Sequence, residues 1–339
     1  MLLFTLLDQM FPPKAKWTPT DIPDLDGKTF LVTGGNTGLG KETCKHLLLK
    51  GGDVWFTARS ASKAEQAIAE LEKETGRQAR FLQLDLSDLS SVKRSAEEFK
   101  TKQQRLDALI LNAGVMHPPI EQLTTQGYDM QFGTNVLGHF LLIKLLLPLL
   151  RSTATGPLAK GEPSRIVWVS SSTNYYFNPP VKYDTLKDSP QRTALGNFQL
   201  YAQSKFATVM LVFKLAKLLE GDYGANGKVV ANVVDPGNIR TELQRYATFG
   251  ERILVRCARP HACAVALTSP TVQHWILLHP TPLGAYTQLY AATSPEAARQ
   301  NGKYFYPWAR TTDPAQGTFD EREQDKIWDF CEEAVKPFA

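Results

Sequence analysis

Short apolar runs alternate with amphipathic stretches along this chain. "KTFLVT" (28–33) precedes a helix expected at about 40–50, and "DVWFTA" (53–58) precedes "SKAEQAIAELEKETG", where Ala67, Ile68 and Leu71 recur at helical spacing. "RFLQLDL" (80–86) leads to a helix near 90–103, and "LDALILNAG" (106–114) to a long helix over roughly 127–151. "RIVWVSSS" (165–172) runs through a loop to a helix near 199–220. "KVVANVVDPG" (228–237) enters irregular chain, and "GKYFYPW" (302–308) reads as a late strand. Strand–helix repetition of this kind predicts an α/β fold, a doubly wound parallel sheet with helices on both faces. Residues 152–164, 174–198, 244–300 and those after 309 read as irregular, and none reads as a linker. The expectation is one domain with insertions: an apolar lead-in over 1–23, a body over 24–310 and a helical tail over 311–339 packing on it.

"LVTGGNTGLGK" (31–41) puts Gly34, Gly35, Gly38 and Gly40 between a strand and a helix start. The spacing is not G-x-G-x-x-G, so a plain turn and a phosphate cradle both fit these residues. The cradle has a physical basis. Free N–H groups and the dipole at a helix N-terminus favour an anion, and ligands of such sheets bind at the carboxyl ends of the strands. "YAQSK" supplies a second candidate. Tyr201 and Lys205, four apart, share one face of a helix, where an ammonium would lower a phenol pKa toward a useful range. A solvated helix face has the same pattern.

Composition narrows the classes. With 339 residues, 43% of them hydrophobic, the chain can build a large core. A net charge of +4 without a Lys/Arg block does not indicate nucleic acid. Cys44, Cys257, Cys263 and Cys331 show neither C-x-x-C pairing nor metal spacing, and read as reduced thiols in a cytoplasmic setting, with no metal expected. "LLIKLLLPLL" (141–150), broken by Lys144 and Pro148, reads as a buried helix. The N-terminal "MLLFTLLDQMF" is too short to span a bilayer and lacks the flanks of a signal peptide. Residues 1–11 either touch a membrane or lipid-droplet surface or pack on the body.

Taken together, the glycine turn and the Tyr201/Lys205 pair resemble the short-chain dehydrogenase/reductase family, the kind with a TGxxxGxG turn and a YxxxK pair on a Rossmann-type sheet. Further motifs recur in order over roughly 24–310: "LDLSD", "LNAG", "TNVLGHF", "RIVWVSSS" and "DPGNIRTEL". Within the family the chain looks most like the retinol dehydrogenase and WW-domain oxidoreductase branch, with a fungal-type lead-in. The resemblance implies that Gly34, Asn36, Thr37, Gly38, Leu39 and Gly40 receive a cofactor pyrophosphate. It places Asp85 and Leu86 at the adenine and Asn112, Ala113 and Gly114 along the cofactor. Pro236, Gly237, Ile239 and Thr241 fall on the loop that meets the nicotinamide. It implies Tyr201 as acid/base and Lys205 as the group that lowers its pKa and holds the ribose. Ser171 would orient the substrate oxygen, with Ser170 and Ser172 as alternatives, and Asn135 would hold a water linking Lys205 to solvent.

The second strand ends "FTARS". Ala58 stands where NAD-using relatives tend to have aspartate, and the Arg59 that follows suits a 2′-phosphate, so NADP(H) is favoured over NAD(H). Tyr175, Tyr176, Phe177, Pro179 and Pro180, with Leu243, Tyr246, Phe249, Ile253, Leu254 and Val255, suggest an apolar pocket for a hydrophobic alcohol, aldehyde or ketone. The alternative is a non-catalytic dinucleotide-binding scaffold or redox sensor. Whether two copies pair as a homodimer is left open.

Overall fold

A computed structural model of the protein describes residue 8 and residues 11–156, 161–177, 179–221, 229–240 and 278–339. In chain order the strands and helices are β1 (Thr29–Thr33), α1 (Gly38–Leu49), β2 (Asp53–Ala58), α2 (Ala61–Thr75), β3 (Arg80–Gln83), α3 (Leu89–Lys102) and β4 (Ala108–Leu111). There follow α4 (Met130–Thr155), β5 (Ser164–Val169), α5 (Pro190–Gly221), β6 (Val229–Val234), α6 (Thr281–Thr293), β7 (Tyr304–Tyr306), β8 (Arg310–Thr311) and α7 (Glu321–Val335). The sheet order is β3-β2-β1-β4-β5-β6-β7-β8, parallel as far as β7, with β8 antiparallel at the edge. Strand order reverses between β1 and β4, and a crevice opens at such a point. β1, β4, β5 and β6 are buried at every position because helices cover both faces, which is why their sequences run apolar without alternation.

Two helical stretches lie where irregular chain was expected. α6 falls inside 244–300. Its Gly284, Ala285, Thr287, Gln288, Ala291 and Ala292 are buried all round against α1 and the sheet, so it has no polar stripe for a periodicity to reveal. α5 begins at Pro190 and is broken by a kink at Gly196, whose φ of +79° ends the first segment before the long helix begins. α4 passes through a π-helical turn, Gly133–Gly138, before its α-helical part His139–Thr155. It is long and apolar enough to cross a bilayer, but most of it is buried against the sheet and its neighbours, as the core helix of a folded domain would be. α7 packs on α5, with Ile327, Cys331 and Val335 buried in the core. Of the first ten residues only Asp8 is described. Its carboxylate accepts from the Tyr306 hydroxyl at 2.7 Å and from Arg310 at 2.8 Å, a tie to the body.

Candidate active site

At the C-terminal ends of β1, β2, β3 and β4 the chain forms a cleft of about 300 Å³. Its floor is the glycine turn. Gly34 takes φ +68°, and a Cβ on Gly40 would stand 2.2 Å from the Gly34 carbonyl oxygen, so α1 rests directly on the turn. Asn112 ties the turn to β4, donating from Nδ2 to the Thr33 carbonyl at 2.9 Å. Elsewhere the chain caps its own helices: Ser60, Asp88 and Asp320 accept from the first N–H groups of α2, α3 and α7. Thr37, at the same position on α1, makes no such bond, which leaves that helix N-terminus open to the cleft for an anion. Asn36, Thr37, Gly38, Leu39, Asp85, Leu86, Ala113 and Gly114 all line the cleft. Asp85 accepts from the backbone and hydroxyl of Ser87 at 2.9 and 2.7 Å, which fixes the loop after β3.

Beyond β2, Ala58 is buried and Arg59 is exposed at the cleft wall. Ser60 and Lys63 stand beside it, the N-cap and first turn of α2. Sequence reading missed this pair. The signal was present in "RSASK", a serine cap with a lysine three residues on, immediately after the strand.

At the other end of the crevice α5 carries Tyr201 and Lys205 on one face, both almost wholly buried. Lys205 Nζ donates to the Val169 carbonyl at 2.9 Å and lies 5.7 Å from the centre of the Tyr201 ring. Ser171 follows β5 near the Tyr201 hydroxyl, whose pKa it lowers, and its Oγ accepts from the Thr173 N–H at 3.2 Å. Its neighbours turn elsewhere: Ser170 Oγ donates to the Lys205 carbonyl at 2.9 Å, and Ser172 opens a 3₁₀ turn over Ser172–Tyr176. Asn135 sits in the π turn of α4. Its Oδ1 accepts from the Val115 N–H at 2.8 Å, and its Nδ2 donates to the Val115 carbonyl at 3.0 Å and to Ser204 at 3.1 Å. Both Nδ2 hydrogens are thus used within the protein, and this side chain clamps the loop after β4, which carries Gly114 and Val115, to α5.

Burial raises the Tyr201 phenol, the Ser171 side chain opposes this and Asp235 raises it further. Burial pushes Lys205 down to about 8, against the pull of Asp235. Asp235, at the end of β6, is pushed up to about 6 by burial.

Pro236 and Gly237 follow it. Gly237 has φ +82°, and a Cβ there would stand 2.6 Å from Pro307. Ile239 is buried and bridges to His279, while Thr241 lies outside the described residues, as do the apolar side chains of 243–255. Tyr176, Phe198, His117 and Tyr201 form a file of rings with centroids 5.9 to 6.1 Å apart. Phe177, expected on the pocket wall, instead packs into the core on Phe206.

Residues 28–182 match the family model described as short chain dehydrogenase. A short-chain dehydrogenase/reductase of Armillaria gallica is 44% identical over 336 residues, covering 99% of both chains. Human polyprenol dehydrogenase is 32% identical over 323 residues, covering 95% of this chain and 86% of its own. Among solved structures, an uncharacterised protein of Mycobacterium paratuberculosis superposes with a TM-score of 0.69 at 26% identity, covering 95% of this chain and 98% of its own.

Proposed function

The chain belongs to the short-chain dehydrogenase/reductase family of oxidoreductases, and on that premise we propose that it interconverts a hydrophobic alcohol and its aldehyde or ketone using NADP(H). The observation that carries this reading is the meeting of Ser171, Tyr201 and Lys205 across the sheet from an uncapped helix N-terminus on a glycine turn. The cleft fits a dinucleotide: the close contact of Gly40 with Gly34 would be filled by any side chain. When bound, the nicotinamide exchanges a hydride with the substrate carbon.

The chain's own residues handle the oxygen and its proton. Ser171 orients the substrate oxygen with a hydrogen bond. Burial keeps the Tyr201 hydroxyl protonated in the open site, ready to donate as a carbonyl is reduced. The cationic Lys205 stabilises the phenolate that donation leaves. Asn135 acts from a distance by holding Val115 and Ser204 in place.

NADP(H) is preferred to NAD(H) because Arg59, Ser60 and Lys63 gather at the end of β2, where a 2′-phosphate would meet two cations and a hydroxyl. Hydrophobic substrates are supported by the ring file beside Tyr201 and by the likeness to a polyprenol dehydrogenase. The retinol dehydrogenase-like branch is the finer placement we favour.

The test is NADPH consumption against straight-chain aldehydes of increasing length. Each further buried methylene contributes about 0.8 kcal/mol, so kcat/KM climbs over several carbons and then levels. A flat series rejects the apolar pocket. In parallel, Tyr201→Phe keeps NADPH affinity but lowers kcat by about a hundredfold or more. Near-normal turnover in that variant rejects the mechanism.

A further inference from the structure

β6 reads VVANVV, buried throughout, and the chain then places a carboxylate, Asp235, that is only 1% exposed. Its hydrogen bonds come from neutral groups: the Gly237 N–H at 2.9 Å, the Tyr304 hydroxyl at 3.2 Å and the Ser172 backbone. All three partners donate; an asparagine would accept at one oxygen only, but would avoid the cost of burying a charge. The neighbouring cation supplies a reason for the acid. Lys205 is bonded to the carbonyl of Val169, and Val169 pairs in register with Val234, the residue before Asp235. Ammonium and carboxylate therefore sit over adjacent strand ends in one water-poor space, where opposite charges attract strongly.

We propose that Asp235 is a positioning residue of this site, the buried counter-ion that keeps Lys205 charged. The proposal rests on the reading of Tyr201 and Lys205 given above. The groups facing Asp235 are Lys205 and Tyr201 from α5, Tyr304 from β7 and Tyr175 from the 3₁₀ turn, and Lys205 also faces His139 from α4. Lys205 is the only one of these that is cationic at neutral pH, since burial holds His139 neutral with its pKa near 3. Burial brings Asp235 up to about 6 and Lys205 down to about 8, so both are ionised between these values and each holds the other there. The carboxylate also opposes a Tyr201 phenolate, which favours the protonated donor.

Asp235→Asn keeps the shape and removes the charge. Carbonyl reduction at saturating NADPH, followed from about pH 5 to 9, shows the alkaline limb moved down by about one unit, with roughly tenfold lower kcat/KM near pH 8 and a smaller loss near pH 6. Stability separates this role from a structural one. A carboxyl whose folded pKa is raised loses stabilisation as pH rises through that value, so wild type bears a cost at pH 7 that the variant lacks. The variant's Tm at pH 7 is equal to or above that of wild type, and the difference grows from about pH 4 to 6 and is level above that. An unmoved alkaline limb, or a Tm that falls along with activity, overturns the proposal. Should Asp235→Asn not fold, Asp235→Ser removes the same charge with a smaller side chain and moves the alkaline limb in the same direction; no movement there also overturns it. Wild type that turns over no carbonyl would instead reject the family mechanism, while the Tm comparison still reads the charge at Asp235.

Discussion

Arg59 and Lys63 reach the same end of the cleft by different routes, one from the strand end and one from the first turn of α2. Reversing the charge at Arg59 would put a repulsive group where the proposed 2′-phosphate sits. Arg59→Asp is expected to weaken NADPH by roughly 2–3 kcal/mol more than NADH, read by fluorescence titration of both cofactors. Lys63→Ala lowers the same preference by less, because a single flexible ammonium lacks the fork of a guanidinium. A wild type that binds NADH better than NADPH would remove the basis of both. Arg59 was legible because it directly follows a strand. Lys63 is harder to see: its signal is a serine cap with a lysine three residues on, and the winding of α2 brings it back to the strand end.

Among the elements, the junction of β1, the glycine turn and α1 is the least forgiving. A methyl group at Gly40 meets backbone, the Gly34 carbonyl, and backbone cannot swing aside as a side-chain end can. Gly76 closes α2 with φ +69°, and a methyl group there has open space around it. The two Gly→Ala substitutions are therefore expected to diverge. Gly76→Ala costs about 1 kcal/mol of backbone strain and leaves NADPH binding alone. Gly40→Ala pushes α1 off the turn and lowers NADPH affinity by more than about tenfold. Thermal melts and NADPH titrations of the pair check both statements. α6 presses on the same junction from outside: a Cβ on Gly284 would stand 2.4 Å from Leu39, and Gln288 reaches Thr43 in α1.

For the molecule as a whole, His139 links the glycine turn to the core and sets part of the acid stability. Its ring bonds Thr33 Oγ1 at 3.0 Å, lies against the Asn135 carbonyl and meets Trp168 edge-on. Burial pushes its pKa down to about 3 from 6.5, so it folds neutral. A histidine lowered in this way contributes stability that is fully present above its unfolded pKa and is lost as pH falls toward its folded one. The loss is about 1.4 kcal/mol per pH unit below 6.5. Urea midpoints measured from about pH 7 to 4 are expected to fall more steeply for wild type than for His139→Gln, although the variant starts lower for want of the ring. Parallel slopes would show that this histidine is not neutral in the folded protein. Comparing the two proteins cancels the carboxyl groups they share, Asp129 and Asp235 among them.

Local pattern determined the alternation of strand and helix, because an apolar run between turn residues has few other solutions. It also determined the glycine turn and the Tyr201–Lys205 face, because four residues along a helix close one turn. Among the three serines of "VSSS" local pattern does not choose; the resemblance favours Ser171, and the fold turns Ser170 away to the Lys205 carbonyl. α6 escaped the pattern because burial on all sides erases periodicity, and the first segment of α5 escaped it because Gly196 interrupts the helix. Asp235 read as the last letter of a strand before a Pro-Gly turn. Its closeness to Lys205 depends on the pairing of β5 with β6, residues more than sixty positions apart in the chain. The pKa order at the site followed the same rule. Spacing along α5 suggested a phenol lowered by an ammonium, but the depth of burial that outweighs it belongs to the packed molecule, since desolvation is a property of everything that surrounds a group.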